Sequence, residues 1–405
     1  MKKARKIVSL LMTFCILLGM LSVSASAITK TQTPDFSKFT EYWINTQYSQ
    51  ETKVNEIIPI IDGAEEVIGY SISFKENETP CGYVILDMSD NYDSNPIVEY
   101  SLDGIDPYTA MSNSATKKFS KIEAKTLKSK KLRSETFYNY GIELATEQGY
   151  KVYSSSDGLV SKDIYDKNAK IKTSKITEVK KESQNNKKNE KEYIKASTNF
   201  WDAWLDTAPG TAKTTKTITK ASSFVSLNMS QMPSYSGSGY TAGYYEEGNC
   251  GPTSLTIIVK YWDECRGMSN LLKSNSVTTT YKRLSKLSGY TPVEGTVTAN
   301  LISAIKDYAK EQGYTAKVSN YLFDTWSNFK GDLDGNKTIF LSVGGKDADG
   351  VELGHASVVF GYRITTDGSK YLRIANCWDT STNRYIKFKP SELSWFNGYA
   401  VSITD

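Results

Sequence analysis

Apolar and polar positions alternate in short runs over the first third of the chain. Residues 57–61, 67–74, 82–87 and 96–101 each read as a strand, with Asp62-Gly63, Glu78-Thr79-Pro80 and Asp93-Ser94-Asn95 as the turns between them. This pattern predicts a small, mainly antiparallel unit, and a more helical stretch is expected at 120–148. Between 154 and 195 the composition changes to Lys, Ser, Asn and Glu, as in Lys180-Lys181-Glu182-Ser183-Gln184-Asn185-Asn186-Lys187-Lys188. A segment with so few large apolar residues cannot offset its ordering entropy, so it reads as an exposed linker open to proteolytic cutting.

Beyond the linker the period changes. Leu255, Ile258, Val259 and Trp262 recur at helical spacing over 251–265, with Gly267 as a stop, and Leu301, Ile302, Ile305 and Tyr308 do the same over 299–312 before Gly313. Strand patterns follow at 338–343, 356–363, 371–376, 384–388 and 399–404. Helices first and strands afterwards predict an α+β domain with a helical half facing an antiparallel sheet half. The expected organisation is a leader at 1–27, a prodomain-like α+β unit at 28–150, the Lys-rich linker at 151–200 and a main domain at 201–405.

The leader is assigned from Lys2, Lys3, Arg5 and Lys6, the apolar run at 7–23 and the small-residue ending Ala25-Ser26-Ala27, the pattern of a cleaved secretory signal. The mature chain is expected to start at Ile28, to be secreted or held at the cell surface, and to keep no stable membrane association. Those four basic residues account for the whole formal charge of +4. The neutral body that remains has no electrostatic reason to seek nucleic acid. A monomer is expected.

His355 is the only histidine, which excludes a multi-histidine metal site within one chain; neither metal nor cofactor is expected. After the leader, Cys81, Cys250, Cys265 and Cys377 remain. Their wide spacing is neither a disulfide scaffold nor a zinc pattern, and a disulfide from Cys377 to Cys265 or Cys81 stays open. Asp332-Leu333-Asp334-Gly335-Asn336 lacks the later glutamate of a calcium loop and reads as a turn.

Cys250 stands in Gly248-Asn249-Cys250-Gly251-Pro252-Thr253-Ser254, at the start of the first helix of this domain. Unpaired N–H groups and the positive end of the helix dipole favour a thiolate there, so a depressed pKa and a nucleophilic sulfur are expected. His355, at the start of an apolar strand in Gly354-His355-Ala356-Ser357-Val358, is the one available base. A third group must hold its ring in the working tautomer. A tight turn at Asp367-Gly368 would set Asp379 near His355, whereas a bulge or wider loop restores Asn376, the preferred choice; Trp378 would shield the bond.

The blocks Cys250-Gly251-Pro252-Thr253-Ser254 with Lys260-Tyr261-Trp262, Gly354-His355-Ala356 with Gly361-Tyr362, and Asn376-Cys377-Trp378 resemble the papain-like cysteine peptidase superfamily. Their spacing is most similar to the bacterial streptopain and bacteriocin-leader-peptidase-like domains. The resemblance covers roughly residues 228–405, and 82–101 is more weakly similar to the propeptide of streptopain-type enzymes. It implies peptide-bond hydrolysis through a thioester, and with the leader, prodomain-like unit and linker the expectation is a secreted thiol endopeptidase made as a zymogen and cleaving polypeptide substrates. Cys250 would be nucleophile, His355 base and then acid, Asn376 orienter, and Gln231 an oxyanion donor; the insertion at 233–248 departs from the tighter spacing of papain. A prodomain covering the cleft until the linker is cut is the corresponding expectation. A cell-wall peptide hydrolase or amidase with the same trio, and a catalytically inactive surface binding module, are the alternatives.

Overall fold

In the N-terminal part, four runs form a meander: β1 (Lys53–Ile61), β2 (Val67–Glu76), β3 (Thr79–Asp87) and β4 (Ile97–Ser101), each antiparallel to the next. Asn77 and Glu78, both left-handed at φ 48° and 63°, close the β2–β3 hairpin with the twist that its strands require. The alternation sends side chains to two cores. On one face Phe74, Val84 and Tyr100 pack against Phe39 and Trp43 of α1 (Ser37–Gln47), a helix that the strand reading of this region overlooks. On the other face Ile58, Tyr83 and Ile85 share a core with Tyr108 and Met111 of α2 (Pro107–Phe119).

The computed structural model describes residues 34–62, 65–88, 95–119, 130–136, 139–146, 149–154, 158–161, 210–218, 248–291, 295–321, 324–346, 352–377, 379–390 and 395–405. The expected leader, residues 155–157 and 162–200 of the expected linker, Gln231 and Trp378 lie outside them.

The helical reading of 120–148 is corrected. Its described residues form β5 (Leu132–Thr136) and β6 (Asn139–Thr146), followed by β7 (Gly149–Ser154) and β8 (Gly158–Ser161). Tyr140, Ile142 and Leu144 alternate with more polar positions and are all buried, so the period of two prevails. The expected linker start at 151 also moves: β7 pairs with β8 through Val152 and Val160, and ordered strands run to Ser161. Backbone pairing at a sheet edge needs little of the apolar content whose absence suggested a linker.

In the C-terminal part, α3 (Cys250–Arg266), α4 (Val277–Leu287) and α5 (Thr298–Glu311) make the helical half. The α4 helix lacks a long apolar stripe, yet Ser276 caps it by accepting from the Thr279 N–H at 3.3 Å, and Tyr281 and Leu284 anchor it. Strands β9 (Ala212–Thr217), β10 (Thr315–Asn320), β11 (Thr338–Lys346), β12 (Glu352–Thr365), β13 (Lys370–Ala375), β14 (Arg384–Lys387) and β15 (Trp395–Thr404) make the sheet half, with α6 (Trp326–Asp334) against it. The Asp332–Asn336 stretch closes α6, as Asn336 turns left-handed at φ 60°.

Both parts share one sheet among the described residues, in the order β10-β15-β11-β12-β13-β14-β4-β3-β2-β1-β5-β6-β7-β8, with β9 on β12. Every ladder is antiparallel except β1 with β5. The joint is β14 against β4, pairing Arg384 with Ser101, Tyr385 with Tyr100 and Ile386 with Glu99. The fold is α+β, and the N-terminal strands extend the sheet that carries His355.

Candidate active site

The tip of α3 is fixed by close packing. Leu255, Ile258 and Val259 are fully buried, and the helix ends on Gly267 in the left-handed region at φ 77°. A Cβ on Gly251 would come within 2.7 Å of Leu301 Cδ1 on α5, and one on left-handed Gly248 within 2.8 Å of the Gly295 Cα. Only glycine lets both approaches happen, so Cys250, the first residue of α3, stands on a tip held from two sides.

Its sulfur faces β12. The backbone N–H groups of Gly251 and of Ala356, the neighbour of His355, favour the charged form of the sulfur. Burial nevertheless dominates and pushes the Cys250 thiol up, which corrects the thiolate expected from the helix tip alone. Desolvation of the sulfur outweighs the favourable N–H groups.

His355 answers in kind. Burial pushes its imidazole down to about 4, the hydrogen bond with Asn376 works the other way, and the Arg384 cation adds to the lowering. Nε2 lies 2.7 Å from the backbone carbonyl oxygen of Asn376. A carbonyl only accepts, so Nε2 carries the proton and a neutral ring keeps its lone pair on Nδ1. Each group by itself is held neutral by burial.

Two backbone irregularities bring Asn376 to the ring. A bulge between Val359 and Gly361 shifts the β12–β13 register, so Val358 pairs with Ala375. Cys377 then adopts φ 68° and ends the strand, and the Asn376 carbonyl meets His355 there. The contact runs through the main chain, where sequence reasoning looked to the side chain. Asp379 is engaged elsewhere: it pairs with Arg384 Nη2 at 2.5 Å and accepts from the Ser381 N–H at 2.9 Å. Cys377 is a buried thiol, 3.3 Å from the Ser254 hydroxyl and 3.9 Å from the Cys250 carbonyl oxygen. Among the described residues Cys81, Cys250, Cys265 and Cys377 form no disulfide.

Residues 227–401 match the sequence model of the family described as the Peptidase_C39 like family. Over these residues the chain is similar to that peptidase family. Among solved structures, the chain is similar to active wild-type interpain A cysteine protease of Prevotella intermedia. The match has 15% identity and a TM-score of 0.24, over 31% of this chain and 56% of that one, so it spans little more than half of that protein. No curated protein sequence matches the chain.

The candidate site also rests on residues that sequence reasoning did not single out. Arg384, 2% exposed, joins Asp379 to Glu99 at 3.0 Å and also meets the Tyr83 hydroxyl. Arg373 donates to the Thr382 carbonyl, to Thr217 Oγ1 and to Asn383 Oδ1, each at 2.7 Å. A lone arginine opening an otherwise ordinary strand pattern carries no sign of a partner almost three hundred residues upstream.

Proposed function

We propose that this chain is a secreted cysteine endopeptidase that hydrolyses peptide bonds through a thioester on Cys250, made as a precursor whose linker is cut. The observation that carries the reading is Cys250 at the tip of α3, a helix packed on the strand β12 that bears His355, whose Nε2 is committed to Asn376. That leaves Nδ1 as the basic nitrogen on the strand that faces the sulfur. In the first step Cys250 Sγ attacks the peptide carbonyl carbon while its proton passes to Nδ1. The Cys250 and Gly251 N–H groups at the tip of α3 and the Gln231 side chain receive the developing oxyanion. The imidazolium then protonates the leaving amine as the C–N bond breaks. Water, deprotonated by the same nitrogen, releases the acid and restores the thiol.

Asn376 keeps the ring in the Nε2–H tautomer throughout. The leader pattern at 1–27 supports export, and the Lys-rich composition of the linker supports cutting there. The test is cleavage of an unstructured protein such as casein by the whole chain. Cys250→Ala and His355→Ala are each expected to remove activity by roughly a factor of a million, as loss of a nucleophile or its base does elsewhere. Casein cleavage that survives either substitution overturns the reading; lysis of purified cell walls without casein cleavage moves the substrate to wall peptides.

A further inference from the structure

The loop between Asn376 and β14 is held by the N-terminal part of the molecule. Just after β4, the Asp103 carboxylate accepts from the Thr382 and Asn383 N–H groups at 3.0 and 3.1 Å and from the Thr382 hydroxyl at 2.7 Å. It also accepts from the Ser381 hydroxyl at 2.5 Å and from the Asn383 amide at 3.4 Å. These bonds hold the Asp103 carboxyl below the usual carboxylate range. One side chain thus grips three consecutive residues, and the Leu102 N–H adds a bond to the Asn383 carbonyl at 3.1 Å.

Beneath this grip, buried Arg384 of the peptidase part meets Glu99, itself 1% exposed, and Tyr83. Arg384 also holds Asp379, three residues after the carbonyl that fixes His355. Withdrawing the N-terminal part would leave a buried guanidinium with one of its two carboxylates and the loop without its acceptor. Such a site does not stay as it is.

We propose that Asp103, with Glu99, is a positioning residue of the peptidase site: it holds the 379–383 loop so that the Asn376 carbonyl stays on His355 Nε2, and the N-terminal part remains a working subunit after the linker is cut. This rests on reading Cys250 and His355 as the reacting pair. The charged and titratable groups around the loop are Asp103, Glu99, Tyr83, Arg373, Asp379 and Arg384, and among them the Arg384 cation acts directly on His355.

The experiment uses the whole chain and the variants Asp103→Ala, Asp103→Asn and Glu99→Gln. The rate of Cys250 alkylation by iodoacetamide is followed against pH by mass spectrometry of the Cys250 peptide, beside kcat and KM for casein. Asp103→Ala is expected to lower kcat by roughly 10- to 100-fold with KM within about twofold, the size of loss that a displaced catalytic group causes. It is also expected to move the pH midpoint of alkylation. Asp103→Asn, which keeps one acceptor oxygen, should fall between Ala and the parent. An unchanged alkylation profile and kcat in Asp103→Ala, with only a lower melting temperature, overturns the proposal.

Should Asp103→Ala fail to fold, Glu99→Gln, which keeps the shape of the side chain, carries the same test with a smaller shift. In a second arm the folded chain is nicked in the linker and passed over a sizing column. Co-elution of both fragments with activity supports the proposal; a fully active C-terminal fragment eluting alone overturns it. A parent chain that cleaves no peptide, yet whose alkylation profile shifts in Asp103→Ala, would remove the peptidase reading and leave the positioning role standing.

Discussion

The two sides of the site are held by different forces. On the cysteine side, α3 is seated by shape: Leu255, Ile258 and Val259 are fully buried and Gly251 lies against Leu301. On the histidine side, the 376–384 segment is held by charge and hydrogen bonds, through Arg384 with Glu99 and Asp379 and through Asp103 with residues 381–383. Apolar packing is the sum of many individually weak contacts. A buried ion pair is satisfied in one geometry and costs a great deal when one partner leaves. The nucleophile is therefore placed by shape and its base by charge.

Substitutions can break this contrast, and the largest effect after loss of the reacting pair falls on the charged side. Arg384→Ala strands Glu99 in the core and is expected to destabilise the chain by about 3–5 kcal/mol, read from urea unfolding. An Arg384→Met, Glu99→Leu double variant should recover most of that stability, because neither charge is then left buried alone. If the single and double variants lose the same amount, the pair is not what holds the two parts together.

The next effect is a pH dependence. His355 has a folded value of about 4, below its unfolded value of about 6.5, so the unfolded chain takes up the proton first. The stability at stake is fully present above about pH 6.5 and is lost as pH falls toward 4, amounting to roughly 3 kcal/mol. Urea midpoints of the parent and of His355→Gln, measured at pH 7 and pH 4.5, should diverge by most of this amount, with the parent losing more. Equal losses would mean that the ring is not shielded as described.

On the packed side, Gly251→Ala must push Leu301 or lift the helix tip. A fall in kcat of roughly 100-fold with little change in melting temperature is expected, since about 1 Å of displacement suffices. Smallest of all is Asn376→Ala. The His355 partner is a main-chain carbonyl that the substitution retains, so kcat should fall by less than about tenfold, against roughly ten-thousandfold where a side chain sets the tautomer.

The same contrast decides what could be read from the chain. The α3 and α5 helices follow from apolar spacing, and the strands from β11 to β15 from alternation, because burial writes a period into the sequence. The Tyr140, Ile142 and Leu144 alternation was equally present, but their surroundings at 120–148 suggested a helix. Cys250 and His355 are legible as the one sulfur at a helix start and the one imidazole. The register that brings Asn376 to the ring depends on a bulge at Phe360 and a left-handed Cys377, which no side-chain pattern announces. The link from Glu99 to Arg384 spans 285 positions, and no local periodicity reports such a partner.

Because the chain has a single histidine, ¹⁵N-histidine NMR of the folded protein gives one pair of ring nitrogens and reads the arrangement directly. The structure predicts a neutral ring at pH 7 with the proton on Nε2 and a bare Nδ1, whose resonance moves when Cys250 is alkylated. A ring protonated on Nδ1 or on both nitrogens, or one indifferent to alkylation, would contradict it.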